Sequence, residues 1–139
     1  MLLTRKSTKR RTGSHTVELA MVLPVFFLFF FGLLEVSRGL MVNSLIVNAS
    51  RVGCRTGTLP GKTNADVTSS INSTLLAQGI KGHTTIIKLN GTATTAIENA
   101  VTGDTVTVEV TVPTDKVSWI PKASFVVGTL GGQYSLPHE

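Results

Sequence analysis

The feature that most constrains this chain is an uninterrupted apolar run, Leu19 to Leu34, sixteen residues without a charge between Glu18 and Glu35. Five of the six phenylalanines lie inside it. A helix on the surface of a soluble domain carries an apolar stripe and a polar face; this run is apolar all round. Taken with its flanks it is near the length that crosses ~30 Å of hydrocarbon as a helix. The run therefore predicts a transmembrane segment over about residues 16–38.

Charge gives the orientation. The chain carries 13 Lys+Arg against 8 Asp+Glu, a formal charge of +5. Arg5, Lys6, Lys9, Arg10 and Arg11 all precede the run, and the remaining basic and acidic residues balance. A basic N-terminal tip against Arg38 on the far side predicts a cytoplasmic N-terminus and an extracytoplasmic C-terminal portion. The same distribution argues against nucleic acid, which needs Lys and Arg spread over a folded face. A cleaved secretory signal is the alternative, but Glu35-Val36-Ser37-Arg38 follows the apolar run where small residues are required. The nearest fit, Val47-Asn48-Ala49, comes some way later.

Helical rhythm continues past the run. Met41, Val42, Leu45, Ile46, Ala49, Val52 and Gly53 fall on one helix face, and Gly53, Gly57 and Pro60 break the pattern. The expectation is one helix over 14–55, half in lipid and half projecting with an apolar side to bury. Residues 56–139 form the outer domain. Thr63 or Asn64 caps a second helix with Val67, Ile71, Leu75 and Leu76 at helical spacing, stopped by Gly79. From Thr84 the period becomes alternating. Thr84–Leu89 meets a turn at Asn90-Gly91, and residues 105–112 place four valines on one face of a strand. Pro113 ends that strand. Phe125–Leu130 and Gly132–Leu136 add one or two more. The fold class is α+β: a long membrane-spanning helix continuing into a small domain with one further helix and an antiparallel sheet. Its valine face packs on the projecting helix.

No catalytic or cofactor chemistry stands out. Cys54 is alone, so there is no intrachain disulfide; an intermolecular bridge and a small, partly buried side chain are both open. His15, His83 and His138 lie too far apart for a zinc cluster. His83 reads as a solvated turn residue and Trp119 as core or interface filler. The Asn-x-Ser/Thr triplets at Asn48, Asn72 and Asn90 are ordinary in a chain this rich in Thr and Asn.

The most informative stretch is Gly13-Ser14-His15-Thr16-Val17-Glu18-Leu19. A carboxylate at the start of a span is costly unless it is paired or held in the headgroup layer. Cleavage after Gly13 would place a positive α-amino group on Ser14, four residues and ~6 Å of helix rise from Glu18. Glu18 could then pair with its own chain's amine or a neighbour's. A basic leader ending in glycine, a glutamate at the fifth position beyond it and an apolar helix resemble the class III signal of type IV pilin-like proteins. Arg10-Arg11-Thr12-Gly13, Val17-Glu18-Leu19-Ala20, Leu23-Pro24 and Phe31-Gly32-Leu33-Leu34-Glu35 are similar to the TadE-like family, pseudopilins of the tight-adherence (Tad/Flp) pilus. Asn48 to Arg55 resembles the segment that ends the family's long helix.

The resemblance implies a structural and assembly role without catalysis or cofactor. It implies residues 1–13 as a leader removed by a prepilin peptidase between Gly13 and Ser14, with Glu18 serving assembly. The partners implied are the peptidase, other pilin-like subunits, the inner-membrane assembly platform and the bilayer. Pro24 would interrupt the span's hydrogen bonding and can kink it. Glu35 and Arg38 stand at i, i+3, either as an ordinary interfacial pair or as a contact with a neighbouring subunit. The competing reading is an uncleaved single-pass anchor whose outer domain binds a ligand or adhesion target.

Overall fold

The computed structural model describes residues 12–94, 96–118 and 128–138. It divides the chain into two units, residues 1–34 and 35–139. Helix α1 runs from Thr12 to Gly57 and contains Pro24. Within the first unit its residues are the only described ones. Their large apolar side chains face outward throughout, from Val17 to Leu34.

The second unit is built in two layers. Helix α2, Asn64–Leu76, starts from a capping box in which the Thr63 side chain accepts from the Asp66 amide and Asp66 accepts from the Thr63 amide. It ends through Gly79, whose φ of 73° suits a residue without Cβ. The Gly79 amide donates to Leu76 O at 2.9 Å and the Ile80 amide to Leu75 O at 3.0 Å, a Schellman closure. Leu75 and Ile80 are both buried, supplying the apolar contact that accompanies it.

Four antiparallel strands follow in the order β2-β1-β3-β4: β1 Thr84–Leu89, β2 Thr92–Ala93, β3 Thr105–Pro113 and β4 Thr129–Pro137. Asn90 and Gly91, with φ of 50° and 85°, form the two-residue turn between β1 and β2. Register places Ile87, Val108 and Tyr134 side by side, so one face of the sheet is apolar. Val106, Val108, Val110 and Val112 are all fully buried there. Val42, Ile46 and Ala49 of α1, Val67, Ile71 and Leu75 of α2, and Ile97 in the 3₁₀ turn Ile97–Asn99 complete the core. The opposite face carries a Lys88–Glu109 ion pair at 2.7 Å.

This is the expected α+β layout, with differences of detail. Strand β3 runs through Pro113 instead of stopping before it, which a terminal strand position permits. The C-terminal candidates resolve into one strand that passes through Gly131 and Gly132; residues 125–127 lie outside the described residues.

Candidate functional site

The segment that would carry processing and assembly opens α1. The described part of α1 runs from Thr12, and Gly13 and Ser14 lie within it. Gly13 is exposed, and a Cβ placed there would meet nothing within 4 Å. No acidic residue lies in the first turn. Glu18 lies one turn beyond, with Oε2 at 3.5 Å from His15 Nδ1, both side chains largely exposed. The imidazole competes for the same carboxylate that a Ser14 amine would approach. The i, i+3 spacing permits this approach without fixing the side-chain directions that produce it.

Beyond Glu18 the helix is a lipid-type surface. Met21, Leu28 and Phe29 are exposed, and Phe26 stacks on Phe30 and Phe27 on Phe31 at centroid distances of 6.1 and 6.2 Å. One helix here is long and apolar enough to cross a membrane. Pro24 lies within it and leaves the Ala20 carbonyl without its usual helical donor. The length and composition of the helix suit a single-pass membrane anchor.

In the second unit, small residues let the end of α1 approach the sheet and α2. Ser50 is fully buried, and its hydroxyl lies 3.0 Å from both the Ile46 and Gly132 carbonyl oxygens. A Cβ at Gly132 would come within 2.9 Å of the Val47 side chain and 3.1 Å of its backbone. At Gly53 and Gly57 an added Cβ would collide with Ile71 and Ile97 respectively. Cys54 is fully buried, donates to Val106 O at 3.2 Å, and has its thiol pKa pushed up chiefly by burial. The motif Asn48–Arg55 thus turns small side chains inward and leaves Arg51 and Arg55 exposed, Arg51 over the Tyr134 ring at 5.1 Å.

Glu35 and Arg38 open this second unit. Arg38 Nε donates to Val117 O at 3.5 Å, and its Nη1 lies 3.8 Å from Met41 Sδ. Glu35 is half-buried, and its Oε2 is shielded from solvent without a hydrogen-bond partner. His83 is not the solvated turn residue expected. It is half-buried, its Nδ1 is shielded without a partner, and burial lowers its pKa. Trp119 lies outside the described residues, as do the basic leader positions Arg5 to Arg11. Among the described residues no cluster of His, Cys, Asp or Glu is arranged to hold a metal.

Residues 13–55 match a family model described as TadE-like protein. The match begins at Gly13 and ends within the small-residue segment packed against the sheet. No curated protein and no solved structure matches the chain.

Proposed function

Taking the chain as TadE-like over residues 13–55, a pilin-like protein related to the Tad pilus, we propose that it is matured by a prepilin peptidase between Gly13 and Ser14 and then assembles through Glu18. The observation that carries this reading is that the family match starts at Gly13, at the head of an exposed apolar helix. Five basic residues before the span hold the N-terminus in the cytoplasm, where the peptidase would cut. The leader's glycine lets a peptidase cleft approach the backbone closely.

Cleavage has an electrostatic consequence. The new Ser14 ammonium stands at a helix N-terminus, the positive end of the macrodipole, so it is disfavoured unless an anion is near. Glu18 supplies that anion, within its own chain or from a neighbour. When the amine belongs to a neighbour, subunit packing neutralises two charges at the membrane edge. The partners are then other pilin-like subunits on an inner-membrane platform, with residues 35–139 outside the cytoplasm.

N-terminal sequencing of protein taken from native membranes tests the processing step. A start at Ser14 is expected. A start at Met1 would instead establish an uncleaved anchor, and one near Ser50 a secreted domain. Glu18→Ala separates processing from assembly: the chain should still be cut and inserted, yet fail to cross-link to its neighbours. Assembly at the wild-type level in that variant would reduce Glu18 to a headgroup-layer residue.

A further inference from the structure

Strand β4 forms one edge of the sheet and pairs with β3 alone. The ladder between them runs through the even positions. At its two ends Thr114 donates to Gly128 O at 3.1 Å and His138 to Asp104 O at 2.7 Å. Successive residues of a strand point their backbone groups to opposite sides, so Gly131, Gln133 and Ser135 turn theirs away from β3. All three are exposed, and among the described residues none makes a further backbone hydrogen bond. Such edges are usually blunted by a charge, a bulge, an interior proline or a short strand. β4 has nine residues, no charged side chain and one-for-one register with β3, and its proline is the last residue. The edge is competent to pair.

The charge beside that edge says what would pair with it. Val47, Arg51 and Arg55 fall at i, i+4 and i+8, one row along α1. The row tracks β4. Val47 lies against Gly132 and Arg51 over the Tyr134 ring, while Cys54, just before Arg55, bonds Val106, the register partner of Leu136. Both arginines are exposed, and among the described residues neither forms an ion pair. Arg51 meets the ring through its charge, which leaves its N–H fork for a carboxylate. Four residues of helix rise ~6 Å, and same-face side chains on a strand recur every ~6.7 Å. Carboxylates at i and i+2 of an added strand therefore match the two arginines.

We propose that β4 accepts an extended segment of a different protein, antiparallel to it, whose carboxylates at i and i+2 are held by Arg51 and Arg55. A second copy of this chain does not fit. β1, β2 and β4 hold no acidic residue, and β3 is paired on both sides. The surface lies wholly within residues 35–139 and does not depend on cleavage after Gly13.

The test uses the full chain in a mild non-ionic detergent and a labelled, end-blocked peptide, Ser-Glu-Thr-Glu-Thr-Val-Thr-Val-Ser, followed by fluorescence anisotropy. Laid antiparallel on β4, it sets its glutamates opposite Leu136 and Tyr134 and its threonine N–H groups toward the strand. N-methylation of the threonine amides should weaken binding by about tenfold or more. N-methylation of the glutamate amides, which point away, should leave it nearly unchanged. A one-residue slip that rescued the first peptide would turn both glutamates away from the arginines. Arg51→Gln with Arg55→Gln should weaken the unmodified peptide about tenfold, whereas Lys81→Gln, an exposed cation elsewhere, should not. Gln133→Pro removes one outward N–H without touching the β3 ladder and should act like threonine methylation. Gly13→Leu should bind as wild type, separating this surface from the processing reading. The methylated pair on wild type decides the edge pairing even if a variant folds poorly. Equal binding of those two peptides overturns the proposal, because it reduces the contact to loose attraction between charges. Binding that survives the paired arginine substitutions overturns it as well.

Discussion

Helix α1 treats apolar side chains in opposite ways along its length. Near its start Phe29 is 73% exposed and Met21 75%, while Val42, Ile46 and Ala49 are fully buried. The first stretch is apolar on every side and needs an apolar surrounding, such as lipid, that the chain's own core does not supply. The second has one apolar stripe, and that stripe meets α2 and the valine face of the sheet. Hydrophobicity alone therefore does not say what covers a residue; its distribution around the helix does. A sharp consequence is that the same chemical insult should be read by different assays in the two regions.

The largest effect should come from Val108→Asp. Val108 is fully buried beside the Gly53 approach, so an unpaired carboxylate there should cost more than ~4 kcal/mol, enough to unfold the domain. Protease sensitivity of the second unit measures it, while membrane association should persist. Thr107→Asp, on the opposite face, loses only a hydroxyl contact with Ser135 at 2.8 Å and should cost under ~1 kcal/mol. Equal sensitivity of both variants would refute the register.

Phe29→Asp is the mirror experiment. It should penalise membrane insertion by about 3 kcal/mol, seen as a shift from the membrane to the soluble fraction. Thermal unfolding of the second unit should not move, because Phe29 belongs to the first unit and the buried core is made of residues of the second. If that midpoint fell, the two regions would not be energetically separate.

Glycine gives the next contrast. Gly132→Ala pushes a methyl against Val47 backbone atoms at 3.1 Å, which cannot swing aside like a side-chain tip. A loss of about 1–3 kcal/mol is expected in urea unfolding of the second unit. Gly32→Ala, with nothing within 4 Å, should leave that unfolding unchanged. A loss at both positions would point to a backbone effect unrelated to packing.

What the sequence could and could not tell follows from the same physics. The four valines of β3 announced themselves because a half-buried strand forces strict alternation. Gly79 and Asn90-Gly91 were legible because positive φ restricts residue choice. Strand β2 was not legible: Thr92 and Ala93 are both exposed, so no burial pattern marks them. Gly131-Gly132 reads locally as a break, yet β4 passes through it because Val47 needs the room. Only the tertiary packing reveals that need. At the candidate site, Gly13, Glu18 and the span were readable from order and charge. The 3.5 Å approach of His15 to Glu18 and the shielded Oε2 of Glu35 were not. Each depends on side-chain direction, which spacing leaves open.

The smallest effect concerns His83. Burial lowers its folded-state pKa below 6.5, whereas the unfolded chain returns it to about that value. Between the two values the unfolded state binds more protons, so stability rises with pH across that window. The stabilisation is fully present above pH ~6.5, is lost as pH falls toward the depressed folded value, and changes no further below it. Because His83 is only half-buried, screening should hold the effect well under ~1 kcal/mol. Asp66 and Asp104, held below the usual carboxylate range chiefly by hydrogen bonds from the Thr63 and Val101 amides, act in a separate window below pH ~4. Melting midpoints of the full chain in detergent from pH 7.5 to 5 should therefore decline slightly for wild type. His83→Gln should flatten that decline while leaving the acid limb below pH ~4 in place. An unchanged slope in His83→Gln would assign the pH dependence to another group and return His83 to the ordinary role of a turn residue.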